Sequence, residues 1–118
     1  MRTITIRPAL MDGVPVEAER ITPDILAGLS LKEMEDLEAW HGNRRLRMAD
    51  LFEISADSGP ASPEETTLVL DGDFTPVKRI GEKMTAGLVE IRGSAGMHTG
   101  NNMRGGEIRI QGDAGDWL

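Results

Sequence analysis

The sequence predicts a mainly β protein in which the stacked coils of a solenoid follow a small α+β lead-in. Three observations carry that prediction. Residues 81–96 repeat in residues 100–115 at a shift of nineteen, with Gly81, Met84, Gly87, Ile91, Gly93, Ala95 and Gly96 falling on Gly100, Met103, Gly106, Ile110, Gly112, Ala114 and Gly115. A fixed period of this length marks a repeat architecture. Within each copy the apolar residues alternate with polar ones, which is the period of a strand with one buried face. Finally, fourteen glycines against two Trp, two Phe and no Tyr leave aliphatic side chains and Met to fill a narrow interior. A looser copy begins earlier, where Leu68-Val69-Leu70-Asp71-Gly72 matches Val89-Glu90-Ile91-Arg92-Gly93.

The lead-in occupies residues 1–65. Thr3 to Arg7 alternates polar and β-branched residues and stops at Pro8, which has no N–H to give a ladder, so a half-buried strand is expected. Val14 to Glu19 is expected to return beside it as a hairpin strand, held to a sheet edge by Pro15. Thr22-Pro23-Asp24 places an N-cap type before a proline at the first helical position, and Gly28 stops the turn almost at once. Ser30-Leu-Lys-Glu33 is a capping box, and a helix over 31–39 is expected to follow with Met34 and Leu37 inward. Trp40 to Asn43 reads as a turn, Arg44 to Met48 as a short basic strand, and the Pro- and Ser-rich 55–65 as a loop.

Residues 66–118 hold the first coils. Leu68 and Leu70, Val89 and Ile91, and Ile108 and Ile110 are expected to point inward, with Val69, Glu90 and Arg109 outward between them. Stacking these segments gives a parallel sheet at the ~4.8 Å spacing of neighbouring strands. Met84 and Met103 supply a second inward row. The glycines at 72, 81, 87, 93, 96, 100, 106, 112 and 115 are read as structural, because a side chain at a corner would meet its own copy in the next coil.

Composition excludes several functions. A formal charge of −7 repels phosphate backbones, and without cysteine there is no thiolate nucleophile, disulfide or Cys-ligated cluster. No apolar run approaches the ~20 residues of a membrane span, and a cytoplasmic location is expected. The glycine runs lack both the Lys-Ser/Thr of a phosphate-binding loop and the helix-opening dinucleotide pattern. Asp71, Asp73, Asp113 and Asp116 do not recur at one position, so calcium is not expected; His41 and His98 each stand alone in loops. Ser94 and Thr99 lack a plausible base-and-orienter set. The acidic run Glu33, Glu35, Asp36 and Glu38 reads as a solvated helix face, and Arg44, Arg45 and Arg47 as partners for the chain's own carboxylates. No catalytic, cofactor-binding or metal-binding residue is assigned.

The motif Gly-x-x-Met-x-x-Gly, a strand, then Gly-x-Ala-Gly, resembles the glycine-repeat domain shared by the large subunit of glutamate synthase and the C subunit of formylmethanofuran dehydrogenase. Trp40-His41-Gly42-Asn43-Arg44, Asp50 to Ile54 and Asp71 to Gly81 favour the dehydrogenase C-subunit family, with the C subunit of the bacterial formyltransferase/hydrolase complex its nearest alternative. The resemblance implies a right-handed parallel β-helix serving as a non-catalytic scaffold in methanogenesis. It implies that the molybdenum or tungsten pterin, the iron–sulfur centres and the zinc-type amidohydrolase site lie in partner subunits. Members of that family carry further coils, whereas this chain stops at Leu118. It is therefore expected to be a fragment, and the isolated chain to be oligomeric, aggregated or frayed at its C-terminal end.

Overall fold

Strand formation begins with Arg2–Pro8 (β1), whose Ile4 and Ile6 are fully buried while Thr3 and Thr5 lie on the other face. In the computed structural model, which describes residues 1–9, 15–96 and 98–112, this strand lies inside a five-stranded mixed sheet. Its neighbours are Phe52–Ala56 (β5), antiparallel, and Thr66–Asp71 (β6), parallel. Beyond β6 lie Leu88–Arg92 (β8) and Glu107–Ile110 (β9), both parallel, giving the order β5-β1-β6-β8-β9. Leu68, Val89 and Ile108 share one register position, and Leu70, Ile91 and Ile110 another, which is the alignment the sequence predicts. Val69 departs from its expected outward place: it is only 7% exposed, although its register partner Glu90 is half-buried and Arg109 exposed.

A second, four-stranded sheet runs β4-β3-β2-β7, from Arg44–Arg47 (β4) through Glu38–His41 (β3) and Val16–Glu17 (β2) to Val77–Lys78 (β7). This arrangement corrects two expectations. The segment after Pro15 does not form a hairpin with β1, and it is internal, pairing antiparallel with β3 and parallel with β7. Pro15 permits this because it precedes the strand. Its carbonyl accepts from Gly42 N–H at 2.8 Å, and Val16 supplies the N–H that Pro15 lacks, donating to Pro76 O at 2.8 Å. Residues 10–14, where the expected strand would begin, lie outside the described residues.

The helices are short. Pro23–Leu26 (α1) is one turn, capped as expected by Thr22 Oγ1 accepting from Ile25 N–H at 3.1 Å. Leu31–Glu35 (α2) carries the full capping box, with Ser30 Oγ accepting from Glu33 N–H at 3.2 Å and Glu33 Oε1 from Ser30 N–H at 2.9 Å. The expected helix over 31–39 is overturned at its C-terminal half. Asp36 caps α2, and Glu38–His41 is strand rather than helix or turn, alternating exposed and buried against Arg44–Arg47. Four cross-strand pairs and the burial of Ala39 and His41 outweigh a propensity signal that favours helix only weakly. Met48–Leu51 (α3) adds an unexpected turn, in which Asp50 Oδ2 accepts from Arg47 N–H at 3.0 Å. The expected loop over 55–65 is shortened at its start by β5 and closed by a 3-10 turn at Pro63–Glu65.

The core lies between the two sheets and the helices. Ile4, Ile6, Leu68, Leu70, Val89 and Ile91 meet Ile21, Leu26, Met34, Met48, Leu51 and Val77, all fully buried. Each such side chain contributes about 1.5–3 kcal/mol of transfer free energy. Phe52 and Phe74 add the ring contact, stacked with centroids 5.9 Å apart and planes 9° apart. The molecule is thus mainly β, with two mixed sheets and few, short helices.

Candidate interaction surface

Among the described residues, the predicted structural positions divide between buried side chains and glycines of special backbone conformation or close approach. Met84 and Ile91 are fully buried, and Met103 and Ile110 pack partly buried on the same core. Gly81 and Gly100 take φ of 73° and 74°, a left-handed conformation that costs glycine little. Gly93 serves close approach instead, since a Cβ there would lie 2.0 Å from the Gly72 carbonyl oxygen. Gly96 faces Val77 O at the same 2.0 Å, and Gly112 follows Gly93 one strand further on. Gly72, Gly87 and Gly106 also adopt positive φ, and Gly115 lies outside the described residues. Sequence reasoning missed that four non-glycines share this geometry. Arg79 and Lys83 have φ of 68° and 58°, and His98 and Asn102, each nineteen positions on, have 60° and 57°. Only the repeat period, not residue type, carries that signal.

Chemistry-bearing residues are not gathered. His41 is buried in β3 opposite Val16 and Arg44, contrary to its expected loop position, whereas His98 sits in a turn. The Thr99 hydroxyl donates to Gly96 O at 2.9 Å and is buried, so it holds a turn. Asp71 pairs with Arg7 at 3.1 Å. Asp73 Oδ1 accepts from the Thr75 hydroxyl at 2.5 Å and from Thr75 N–H at 2.9 Å, and these bonds hold its carboxyl below the usual range. Asp57, accepting from Thr3 N–H at 2.8 Å, is lowered in the same way. Asp113 and Asp116 lie outside the described residues. Among the described residues no three His, Asp or Glu side chains converge as a metal set, and no helix is long and apolar enough to cross a membrane.

One buried charge escapes the sequence entirely. Arg2 is 1% exposed, and its guanidinium donates to Leu26 O at 3.3 Å, Ala27 O at 2.9 Å and Leu29 O at 2.6 Å through Nη1, and to Ser58 O at 3.0 Å through Nε. It ties the chain after α1 and the loop after β5 to the first strand. No carboxylate signals this in the sequence, because the acceptors are main-chain carbonyls.

The surface has its own order. The acidic run is solvated: Asp36 pairs with Lys32 at 3.4 Å and with Arg47 at 2.9 Å, and Glu38 with Arg45 at 3.6 Å, as the ion-pairing reading of the arginines expects. On the outer face of the four-stranded sheet one cross-strand row reads Lys78, Glu17, Trp40, Arg45. Trp40 is 42% exposed in the middle of that row. An open groove beside β2 is lined by Glu17, Thr22, Ile25, Arg79 and Glu82, with Arg79 bridging Glu17 at 3.8 Å and Glu82 at 3.1 Å. Aromatic and arginine side chains on an exposed sheet suit protein contact more than small-molecule chemistry.

No family model matches the chain. Among curated proteins it is 40% identical over 100 residues to the C subunit of the tungsten-containing formylmethanofuran dehydrogenase 2 of Methanothermobacter wolfeii, across 85% of this chain and 37% of that protein. It is 41% identical over 98 residues to the C subunit of the molybdenum-containing formylmethanofuran dehydrogenase 1 of Methanosarcina barkeri, across 83% of this chain and 32% of that protein. The chain thus spans about a third of the length of these relatives. Among solved structures it resembles a chain of the formyltransferase/hydrolase complex of Methylorubrum extorquens, crystallised with methylofuran. The TM-score is 0.70 at 27% identity, over 94% of this chain and 47% of that one.

Proposed function

The chain is homologous to the C subunit of formylmethanofuran dehydrogenase over the third of that protein it spans, and from this relationship we propose that it acts as a non-catalytic scaffold portion of such a complex. The observation that carries the reading is the identity of about two residues in five across most of the chain, shared with both tungsten and molybdenum forms. In this reading the complex reduces carbon dioxide onto methanofuran in the cytoplasm. The pterin metal, the iron–sulfur clusters and the amidohydrolase metals sit in neighbouring subunits, and this chain supplies shape and surface. Residues 1–65 form the lead-in and 66–118 the first coils of a right-handed parallel β-helix. The parallel β6–β8–β9 register and the corner conformations recurring at nineteen residues support that assignment. The glycines at 72, 81, 87, 93, 96, 100, 106, 112 and 115 would be its corner positions, with Met84, Met103, Ile91 and Ile110 lining the interior.

A second reading, the C subunit of a bacterial formyltransferase/hydrolase complex, is favoured by the structural likeness to the Methylorubrum assembly. Co-expression separates the two. The tagged chain is offered the molybdopterin and amidohydrolase subunits of a formylmethanofuran dehydrogenase, or the formyltransferase and hydrolase subunits of the bacterial complex. Recovery of the first set with the chain supports the dehydrogenase reading, and recovery of the second set alone supports the other. Recovery of neither overturns both.

A further inference from the structure

We propose that the outer face of the four-stranded sheet is a self-complementary docking surface for a second copy of this chain, centred on Trp40. The inference does not rest on the scaffold reading; it follows from how charge is distributed about an exposed tryptophan. Strand alternation sends Trp40 and Glu38 of β3, Arg45 and Arg47 of β4 and Glu17 of β2 to this face, while Ala39, His41 and Val16 point inward and are buried. β2 pairs with β3 only as far as Glu17, beside Trp40, while on the other side Arg45 lies beside Trp40 and Arg47 beside Glu38. The central row of the face reads acid, Trp40, base.

A two-fold axis lying between two such faces, parallel to the strands and over β3, brings the β4 side of one copy over the β2 side of the other. Arg45 then meets Glu17 of the second copy, while the two Trp40 indoles pack across the axis. This is the isologous geometry of a two-fold dimer, in which each contact occurs twice. The alternative two-fold, running across the strands, would set Arg45 on Arg45 and is disfavoured. The present partners of these side chains do not compete strongly. Arg45–Glu38 at 3.6 Å and Arg79–Glu17 at 3.8 Å are exposed pairs, which contribute little and can be exchanged for others. A tryptophan surrounded by arginine and carboxylate has the composition of an interface centre. One contact opposes the dimer, because Glu38 lies over the axis and faces its own copy.

Sedimentation equilibrium on the purified chain tests this, with circular dichroism to check that each variant folds. A reversible monomer–dimer equilibrium is expected. Trp40→Ala raises the dissociation constant about tenfold or more, and Arg45→Glu also raises it about tenfold by apposing like charges. The double variant Glu17→Arg/Arg45→Glu restores it to within about threefold, since the pair is swapped rather than lost. Glu38→Gln tightens the dimer about two- to threefold. A wild-type monomer at every concentration overturns the proposal. So do larger assemblies indifferent to Trp40→Ala, a charge swap that fails to restore association, or a Trp40→Ala variant that still dimerises yet no longer holds a catalytic partner.

Discussion

Arg2 shows how much one side chain can organise when its partners are carbonyls. Its buried guanidinium satisfies oxygens in two separate loops, so Arg2→Met strands several acceptors at once. We expect a loss of about 2–4 kcal/mol in urea denaturation, with Arg2→Lys recovering part of it because an ammonium cannot reach four carbonyls in a plane. The glycines differ from one another in the same measurable way. Gly93→Ala would drive a Cβ to 2.0 Å from Gly72 O and is expected to destabilise by about 3 kcal/mol or more, whereas Gly28 has nothing within 4 Å and its alanine variant changes stability by about 0.5 kcal/mol or less. Asp73 gives a pH signature. Its folded carboxyl titrates below the ordinary 3.8 because Thr75 donates to the carboxylate. That contribution is present above about pH 3.8 and is lost as pH falls through the lower folded value. The carboxylate is exposed, so the effect is well under about 1 kcal/mol. Asp73→Asn is expected to flatten the stability profile below pH 3.8 while lowering the plateau slightly, as read by thermal melts across an acid series.

At the scale of elements, short capped turns are more legible in the sequence than their lengths. Ser30→Ala removes the oxygen that caps α2 and should cost about 1 kcal/mol; a guanidinium midpoint with an unchanged slope would record it. The box Ser30–Glu33 is written locally, and so are Thr22–Pro23 and the alternation of β1, which is why all three are readable. The parallel register of β6, β8 and β9 is readable because the nineteen-residue shift states it directly. The strand Glu38–His41 is not, since its helix-compatible residues become strand only through pairing with Arg44–Arg47 and through β2 on the other side. The same blindness to distant partners hides the membership of β2 in a different sheet from β1. On the candidate surface, Arg45 and Arg47 are legible as ion-pairing residues, but Trp40 reads locally as part of a turn, and its place at the centre of an open face depends on tertiary pairing.

For the whole molecule, protection is graded across the five-stranded sheet. β1 and β6 are paired on both sides and carry fully buried isoleucine and leucine, while β9 is paired on one side only among the described residues and its Ile108 and Ile110 are partly buried. Native-state hydrogen exchange is therefore expected to be slowest at Ile4, Ile6 and Leu68 and faster at Ile108 and Ile110. Equal protection along β9 and β6 would show that the outer edge of β9 is covered. The position of β1 carries one more consequence, for the order of events in time. β1 finds its parallel neighbour only when Thr66 to Leu70 have been made, with β2 to β5, three short helices and a 3-10 turn synthesised in between. Loop closure of that span precedes any reward from the sheet, so refolding belongs to the slow, millisecond-to-second class. During synthesis the parallel edge of Ile4 and Ile6 stays unpaired on the nascent chain until Leu68 and Leu70 arrive to receive it, although β5 can already pair on the other edge.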